Sequence, residues 1–300
     1  MNGPDETSDL ASGRRAGARR DPVAVVRGLV HRFGAQRALD GLELEVRAGE
    51  CLGLLGPNGA GKTTTIRILS TATRHEAGEV LVLGLDPRRD AASIRARIGV
   101  VPQEVALYAG LSARENLAFF GRIHGLAGAT LATRVGRALA HAGLEDRADD
   151  RVATFSGGMR RRLNIVAALL HEPELVLMDE PTVGVDPQSR NHVFKMVAAL
   201  RAEGTTIVYT THQLGEVERL CDRIVVLDHG RAIAAGTLAE LGRAGAGPVP
   251  GPRRLDCGRR TDEARALLAA HGIASTLEER APDLEEIFLA LTGRALRDER

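Results

Sequence analysis

Gly56-Pro57-Asn58-Gly59-Ala60-Gly61-Lys62-Thr63-Thr64 reads G-x-x-x-x-G-K-T, the pattern of a loop that cradles the phosphates of a nucleoside triphosphate. Its surroundings suit that reading. The apolar run 51–55 predicts a buried strand before it, and 63–69 predicts a helix after it, with Ile66 and Leu69 on the apolar side. Gly56, Gly59 and Gly61 let the backbone curl until several N–H groups face one point. The helix that follows adds its positive N-terminal end. Lys62 supplies a mobile charge for the β- and γ-phosphates, and the Thr63 hydroxyl suits Mg²⁺.

A phosphate cradle alone neither completes a metal site nor activates water. Leu175-Val176-Leu177-Met178-Asp179 reads as a second buried strand that ends in a carboxylate. Such an Asp can hold Mg²⁺ through water, and the adjacent Glu180 can orient or deprotonate an attacking water.

The bulk composition excludes several alternatives. Three hundred residues with 44% hydrophobic content support a real core, and the net charge of +1 is no nucleic-acid footprint. Aromatics make up 3% with no Trp, so stacking surfaces for single strands are not expected. Cys51, Cys221 and Cys257 are odd in number and widely spaced, with no metal pattern and no disulfide framework, which suits a reducing cytosol. No apolar run approaches the ~18 residues of a spanning helix. The polar stretch 1–9 is not a secretory signal. Membrane association is therefore expected through a partner.

Residues 1–21 are expected to be a disordered tail. Strands are expected at 23–26 and 42–46 around a turn at Phe33-Gly34, with Glu43 and Glu45 on a wet face of an antiparallel sheet. Further strands are expected at 80–83, 98–101, 175–178 and 205–210, and a hairpin at 224–227 and 231–234. Residues 112–143 read as mostly helical, opened by a capping box at Ser112 and Glu115. Helices are also expected at 159–170, 187–201 and 214–221. Strands alternating with helices imply an α/β fold with a mostly parallel sheet. The chain divides into a nucleotide-binding domain at 22–241, a Gly/Pro-rich linker at 242–252 and a small C-terminal α+β subdomain at 253–300.

Taken together, the chain resembles the ATP-binding subunit of ABC transporters, over roughly residues 22–241. The phosphate loop, Gln103, Phe155-Ser156-Gly157-Gly158-Met159, Asp179-Glu180, Val183-Gly184-Val185-Asp186 and His212 occur in that family's order. Each short motif is weak alone; the ordered set is specific. The resemblance implies a P-loop NTPase core with an antiparallel β subdomain and a helical signature subdomain. It also implies ATP and Mg²⁺ as ligands, and an ATP-dependent head-to-tail homodimer. In that arrangement Ser156, Gly157 and Gly158 face the γ-phosphate of the other subunit, at a helix N-terminus suited to an anion. Asp186 joins the nucleotide-binding residues. Gln103 senses Mg²⁺ and water and links to a membrane partner, and His212 helps position the water. Phe33 matches the aromatic that stacks on adenine, usually Tyr; a core role for it stays open.

Two departures stand out. Phe155 replaces Leu and Met159 replaces Gln in the signature. Arg160-Arg161-Arg162 places cations where they oppose the helix dipole, so they face phosphates, a partner or solvent. The Ser-Gly-Gly-Met-Arg-Arg-Arg-Leu run, Val101-Pro102-Gln103-Glu104 and the segment 284–293 look like the drug-resistance (daunorubicin-type) exporter branch. There the ATPase and the transmembrane permease are separate chains, so the ATPase sits peripherally on the cytoplasmic side of the membrane. A soluble ATPase acting on nucleic acid or ribosomes, and a non-hydrolysing regulatory module, are the competing classes. The charge balance opposes the first, and intact Lys62, Asp179 and Glu180 oppose the second.

Overall fold

Period-two alternation builds the first layer. The computed structural model describes residues 22–245. β1 (Pro22–Phe33) and β2 (Gln36–Arg47) form an antiparallel hairpin, and Gly34 turns it with φ +60°. Along β2, Leu42, Leu44 and Val46 are buried while Glu43 and Glu45 face water, the one-sided pattern expected of such a sheet. Both strands run longer than their apolar cores suggest. The hairpin extends to the Phe33-Gly34 turn, and β-bulges absorb the polar interruptions.

The second layer is a six-stranded sheet of β3 (Cys51–Leu55), β5 (Ile98–Val101), β6 (Leu175–Asp179), β7 (Thr206–Thr211), β8 (Arg223–Asp228) and β9 (Arg231–Gly236). Its order is β5-β6-β7-β3-β8-β9, parallel except for the β8-β9 hairpin. β4 (Ala77–Val82) joins β1 in the smaller sheet instead. β3, β6 and β7 are buried at every position, so both faces of the large sheet are covered. Leu52, Leu54, Leu177 and Val208 face α1 (Lys62–Leu69) and the smaller sheet. Cys51, Val176, Met178 and Tyr209 face α6 (Pro187–Ala202) and α5 (Gly157–Ala167). The register pairs Leu55 with Thr211 and Asp179 with Thr210, so the carboxyl ends of three central strands share one edge. Ligands of open α/β sheets bind at that edge.

The helical block is α3 (Ala113–Ile123), α4 (Gly128–Ala142) and α5, packed around Leu117, Leu131, Val135, Leu139, Phe155 and Leu163. The capping box is present, with Ser112 Oγ accepting from Glu115 N and Glu115 accepting from Ser112 N. α5 begins at Gly157, earlier than its apolar period suggests, because Ser156 caps it by accepting from Met159 N. Short α2 (Ala91–Arg95) carries too little periodicity to be legible. α7 (Leu214–Leu220) falls where expected. α8 (Leu238–Gly245) runs into the stretch read as a linker; Thr237 and Glu240 cap each other at its start. The tail 1–21, the rest of the linker, the subdomain 253–300 and Cys257 lie outside the described residues. No helix among the described residues is long and apolar enough to cross a membrane.

The wide spacing of the cysteines hides a contact. Because β3 and β8 are neighbours, the Sγ atoms of Cys51 and Cys221 lie 3.9 Å apart as free thiols.

Two stability predictions follow from local chemistry. Ser112→Ala removes the acceptor of a helix N-terminus and costs about 1 kcal/mol, read as a shift in urea midpoint with an unchanged slope. His124, which caps α3, stacks flat on His171 at 3.6 Å and 3°. Burial holds both imidazoles below the usual histidine pKa. The unfolded chain therefore takes up protons first, and stability falls as pH drops through about 6.5. His124→Phe keeps a ring on the stack and should lose less melting temperature between pH 7.5 and 5.5 than the native chain.

Candidate active site

The phosphate loop leaves β3 at Gly56. A side chain there would stand 2.4 Å from the Leu227 carbonyl, so close packing demands glycine. Gly59 and Gly61 adopt φ +82° and +105°, left-handed values that suit glycine. Ala60 N donates to Pro57 O, and Gly230 N donates to Ala60 O, anchoring the loop to the β8-β9 turn. Lys62 is buried at 4% exposure. Its Nζ donates to Gly56 O at 2.7 Å and Pro57 O at 3.0 Å, and lies 3.1 Å from Glu180 Oε1.

Asp179 ends β6 at the same edge. Its Oδ1 accepts from Thr63 Oγ1 at 3.2 Å and from Thr210 Oγ1 at 2.8 Å. Thr210 belongs to no motif, and only the pairing of β6 with β7 brings it to the acids. That hydroxyl also accepts from Glu180 N at 3.0 Å, so one side chain on β7 orients both acids. Glu180 sits at φ +43°, a left-handed conformation that costs a non-glycine residue about 1–3 kcal/mol unless its surroundings hold it. Four contacts hold it: Thr210 to its N–H, Arg161 to its carbonyl, and Lys62 and His212 to its carboxylate. His212 Nδ1 lies 3.3 Å from Glu180 Oε2, a close approach without hydrogen-bond alignment.

Thr63 and Asp179 offer one hydroxyl and one carboxylate. That set suits Mg²⁺, which keeps several waters and substrate phosphates rather than an all-protein cage. Among the described residues no group of three or more His, Cys, Asp or Glu forms such a cage.

Behind Asp179 and Glu180 lies a further buried carboxylate, one with no sequence motif to announce it. Glu216 of α7 accepts from Thr182 at 2.6 Å, Thr211 at 2.8 Å and the Tyr209 phenol at 3.0 Å. Burial and that carboxylate push the Tyr209 phenol far above its usual pKa, so it stays a donor. Thr211 Oγ1 accepts from Gln213 N, so Glu216 ties the segment after Glu180 to the loop carrying His212.

The remaining predicted residues divide. Phe33 is 49% exposed at the end of β1, with its ring edge-to-face on His31 at 4.7 Å, which excludes a core role. Gln103 follows β5, beside β6, with an exposed side chain. Ser156 and Gly157 are exposed at the start of α5. No hydrogen bond or ion pair among the described residues joins Ser156, Gly157 or Gly158 to Lys62, Asp179 or Glu180. Gly158 instead packs on the first turn of α6, where a side chain would collide with Ser189 and approach Asp186. Asp186 caps α6 by accepting from Ser189 N, and that bond holds its carboxyl below the usual range. Met159 turns toward the helical core and Phe155 is buried there, so both signature departures fill apolar space. The three arginines split: Arg160 is exposed, Arg162 donates to the Ala142 carbonyl at the end of α4, and Arg161 is 2% exposed.

A family model described as ABC transporter matches residues 39–183. The chain is 42% identical to the linearmycin resistance ATP-binding protein LnrL of Bacillus subtilis (strain 168), over 89% of this chain and 97% of the relative. This chain belongs to the ATP-binding subunits of ABC transporters. It is the ATP-hydrolysing subunit of such a transporter. A second ABC relative, the daunorubicin resistance ATP-binding protein DrrA3 of Streptomyces coeruleorubidus, is 41% identical over 91% of this chain and 96% of its own length. The drug-resistance branch suggested by the signature run is therefore the right neighbourhood. Among solved structures, a dimeric ATP-binding cassette in a post-hydrolysis state bound to ADP and Pi matches with a TM-score of 0.66 and 25% identity, covering 72% of this chain and 98% of that one.

Thr210→Val removes the hydroxyl that orients both acids and leaves Glu180 N without its acceptor. It should cost about 1–3 kcal/mol of stability and lower kcat more than it raises KM for ATP, read by urea unfolding and steady-state ATPase kinetics.

Proposed function

We propose that this ABC subunit powers a separate transmembrane permease in export of an apolar, antibiotic-like compound, from the cytoplasmic side of the membrane. The observation that carries the catalytic reading is Glu180, held between Lys62 and His212 beside the Thr63–Asp179 pair. Residues 56–64 cradle the phosphates, with Lys62 facing the β- and γ-phosphates, and Phe33 stacks on the adenine. Thr63 and Asp179, with Gln103, would hold Mg²⁺, which would supply charge neutralisation for phosphoryl transfer. Glu180 accepts the proton of the attacking water, and His212 orients that water and Glu180.

Ser156, Gly157 and Gly158 serve a nucleotide held by a second copy. Ser156 and Gly157 are exposed at a helix start, Gly158 packs beneath them, and none of the three is bonded to this chain's own phosphate loop. Asp186, packed near Gly158, moves with them. ATP then closes a head-to-tail homodimer and hydrolysis reopens it. The permease docks beside Gln103, where Val105, Tyr108, Phe119 and Ile123 are exposed and Tyr108 and Phe119 meet edge-to-face at 4.8 Å. An exposed apolar cluster of this kind marks an interaction surface. The export reading is supported by relatives named for Nod factor export, and the antibiotic-like cargo by those named for drug resistance.

Glu180→Gln should retain ATP binding, stop hydrolysis and trap the dimer, because it removes the base and keeps the phosphate cradle. Size-exclusion chromatography with light scattering, with and without Mg-ATP, should show a monomer-to-dimer shift only with nucleotide. Native-rate turnover by this variant would overturn the assignment of the base.

A further inference from the structure

Arg161 is a buried cation that meets no carboxylate partner among the described residues. Its Nε donates to Pro181 O at 2.5 Å; Nη1 donates to Pro102 O at 2.6 Å and Gln103 O at 3.1 Å; Nη2 donates to Glu180 O at 2.9 Å and reaches Asp179 O at 3.5 Å. The guanidinium has five N–H donors, and five carbonyls surround it. Burial disfavours its charge, partly offset by the nearby Asp179 and Tyr209. A desolvated cation satisfied only by backbone dipoles leaves those dipoles little freedom to move apart.

The carbonyls belong to two segments with different duties. Pro102 and Gln103 open the loop beside the exposed aromatic cluster. Asp179, Glu180 and Pro181 carry the acids. Arg161 itself sits in the second turn of α5, whose first turn presents Ser156, Gly157 and Gly158. One turn further on, Asn164 Oδ1 accepts from Ala106 N at 3.1 Å, so the same helix face grips the loop a second time. A cavity of about 400 Å³ opens beside this contact, lined by Gln103, Arg160, Arg161 and Val183–Val185 among others. The Gln103 loop and residues 183–185 border that open space, and the guanidinium ties the first of them to the backbone of 179–181.

We infer that Arg161 is a positioning residue that couples the Gln103 loop to hydrolysis. Displacement of residues 102–106 is carried through one rigid fork to the Glu180 backbone, which sets its carboxylate between Lys62 and His212. The same fork transmits the displacement to α5, and so to the residues offered to the partner's nucleotide. The inference rests on Glu180 being the base. Lysine cannot replace the fork, because a single ammonium cannot span carbonyls of both segments in fixed geometry.

The test is steady-state ATPase kinetics of the full chain carrying Arg161→Lys, Arg161→Ala or Asn164→Ala, with binding of a fluorescent ATP analogue measured in parallel. The two Arg161 variants should lose about tenfold or more in kcat, since small misplacements at a reacting centre are costly. Their KM and analogue affinity should stay within about twofold. Millimolar methylguanidinium should restore part of the kcat of Arg161→Ala and none of that of Glu180→Gln. Asn164→Ala, a milder change that folds if the Arg161 variants do not, should lose severalfold in kcat at unchanged KM.

Native kcat in Arg161→Lys would overturn the inference. So would a lowered melting temperature with unchanged kcat per folded molecule, or unchanged kcat in Asn164→Ala. Glu180→Gln separates the two readings. Turnover there sinks the base assignment, whereas its silence beside native-rate Arg161 variants sinks the coupling alone.

Discussion

The site depends on keeping four charges out of water at one sheet edge. Lys62, Asp179, Glu180 and Arg161 are each at most 6% exposed. An isolated buried charge is prohibitive, and removing one partner of a buried pair typically costs about 3–5 kcal/mol. Each of the four is therefore matched: Lys62 by Glu180 and two loop carbonyls, Asp179 by two hydroxyls, Glu180 by Lys62 and His212, and Arg161 by carbonyls. The matching is mutual, so the geometry of each acid is set by the others. This arrangement favours conformational definition over net stability, because an apolar core of equal volume commonly does as well or better in free energy.

Sheet topology makes the matching available. β7 lies between β3 and β6, so Thr210 stands beside the acids while the phosphate loop leaves the next strand over. The left-handed turn at Glu180 bends its carboxylate toward Lys62 as the chain leaves β6. Glu216 fixes the following segment from behind with three hydroxyl donors. Strain at Glu180 and satisfied polar groups around it are two aspects of the same arrangement: the first aims the carboxylate and the second holds it there.

Much of this was legible because local chemistry and spacing carry it. The phosphate loop announces itself through residues 56–64, the capping box through Ser112 and Glu115, and β6 through an unbroken apolar run ending in Asp179. Thr210, Glu216 and Arg161 were not legible, because their roles depend on which strands become neighbours. Thr210 lies on an ordinary strand until β7 pairs with β6. Arg161 reads as a charge opposing a helix dipole until Pro102 and Pro181 are known to flank it. Likewise Cys51 and Cys221 are 170 positions apart and look unrelated until β3 pairs with β8.

The signature departures show how chemistry at an exposed helix start can change without changing the cradle. Met159 and Phe155 pack into the helical core, so Met for Gln and Phe for Leu alter packing beneath the Ser-Gly-Gly turn. A helix N-terminus binds an anion through backbone dipoles, and backbone dipoles survive a side-chain swap. The residue that discriminates is Gly158, because Ser189 and Asp186 press against the position a side chain would take. Apolar residues behind the turn therefore leave its backbone in place, while any side chain at Gly158 would push α5 away from α6 and break the joint placement of Ser156 and Asp186.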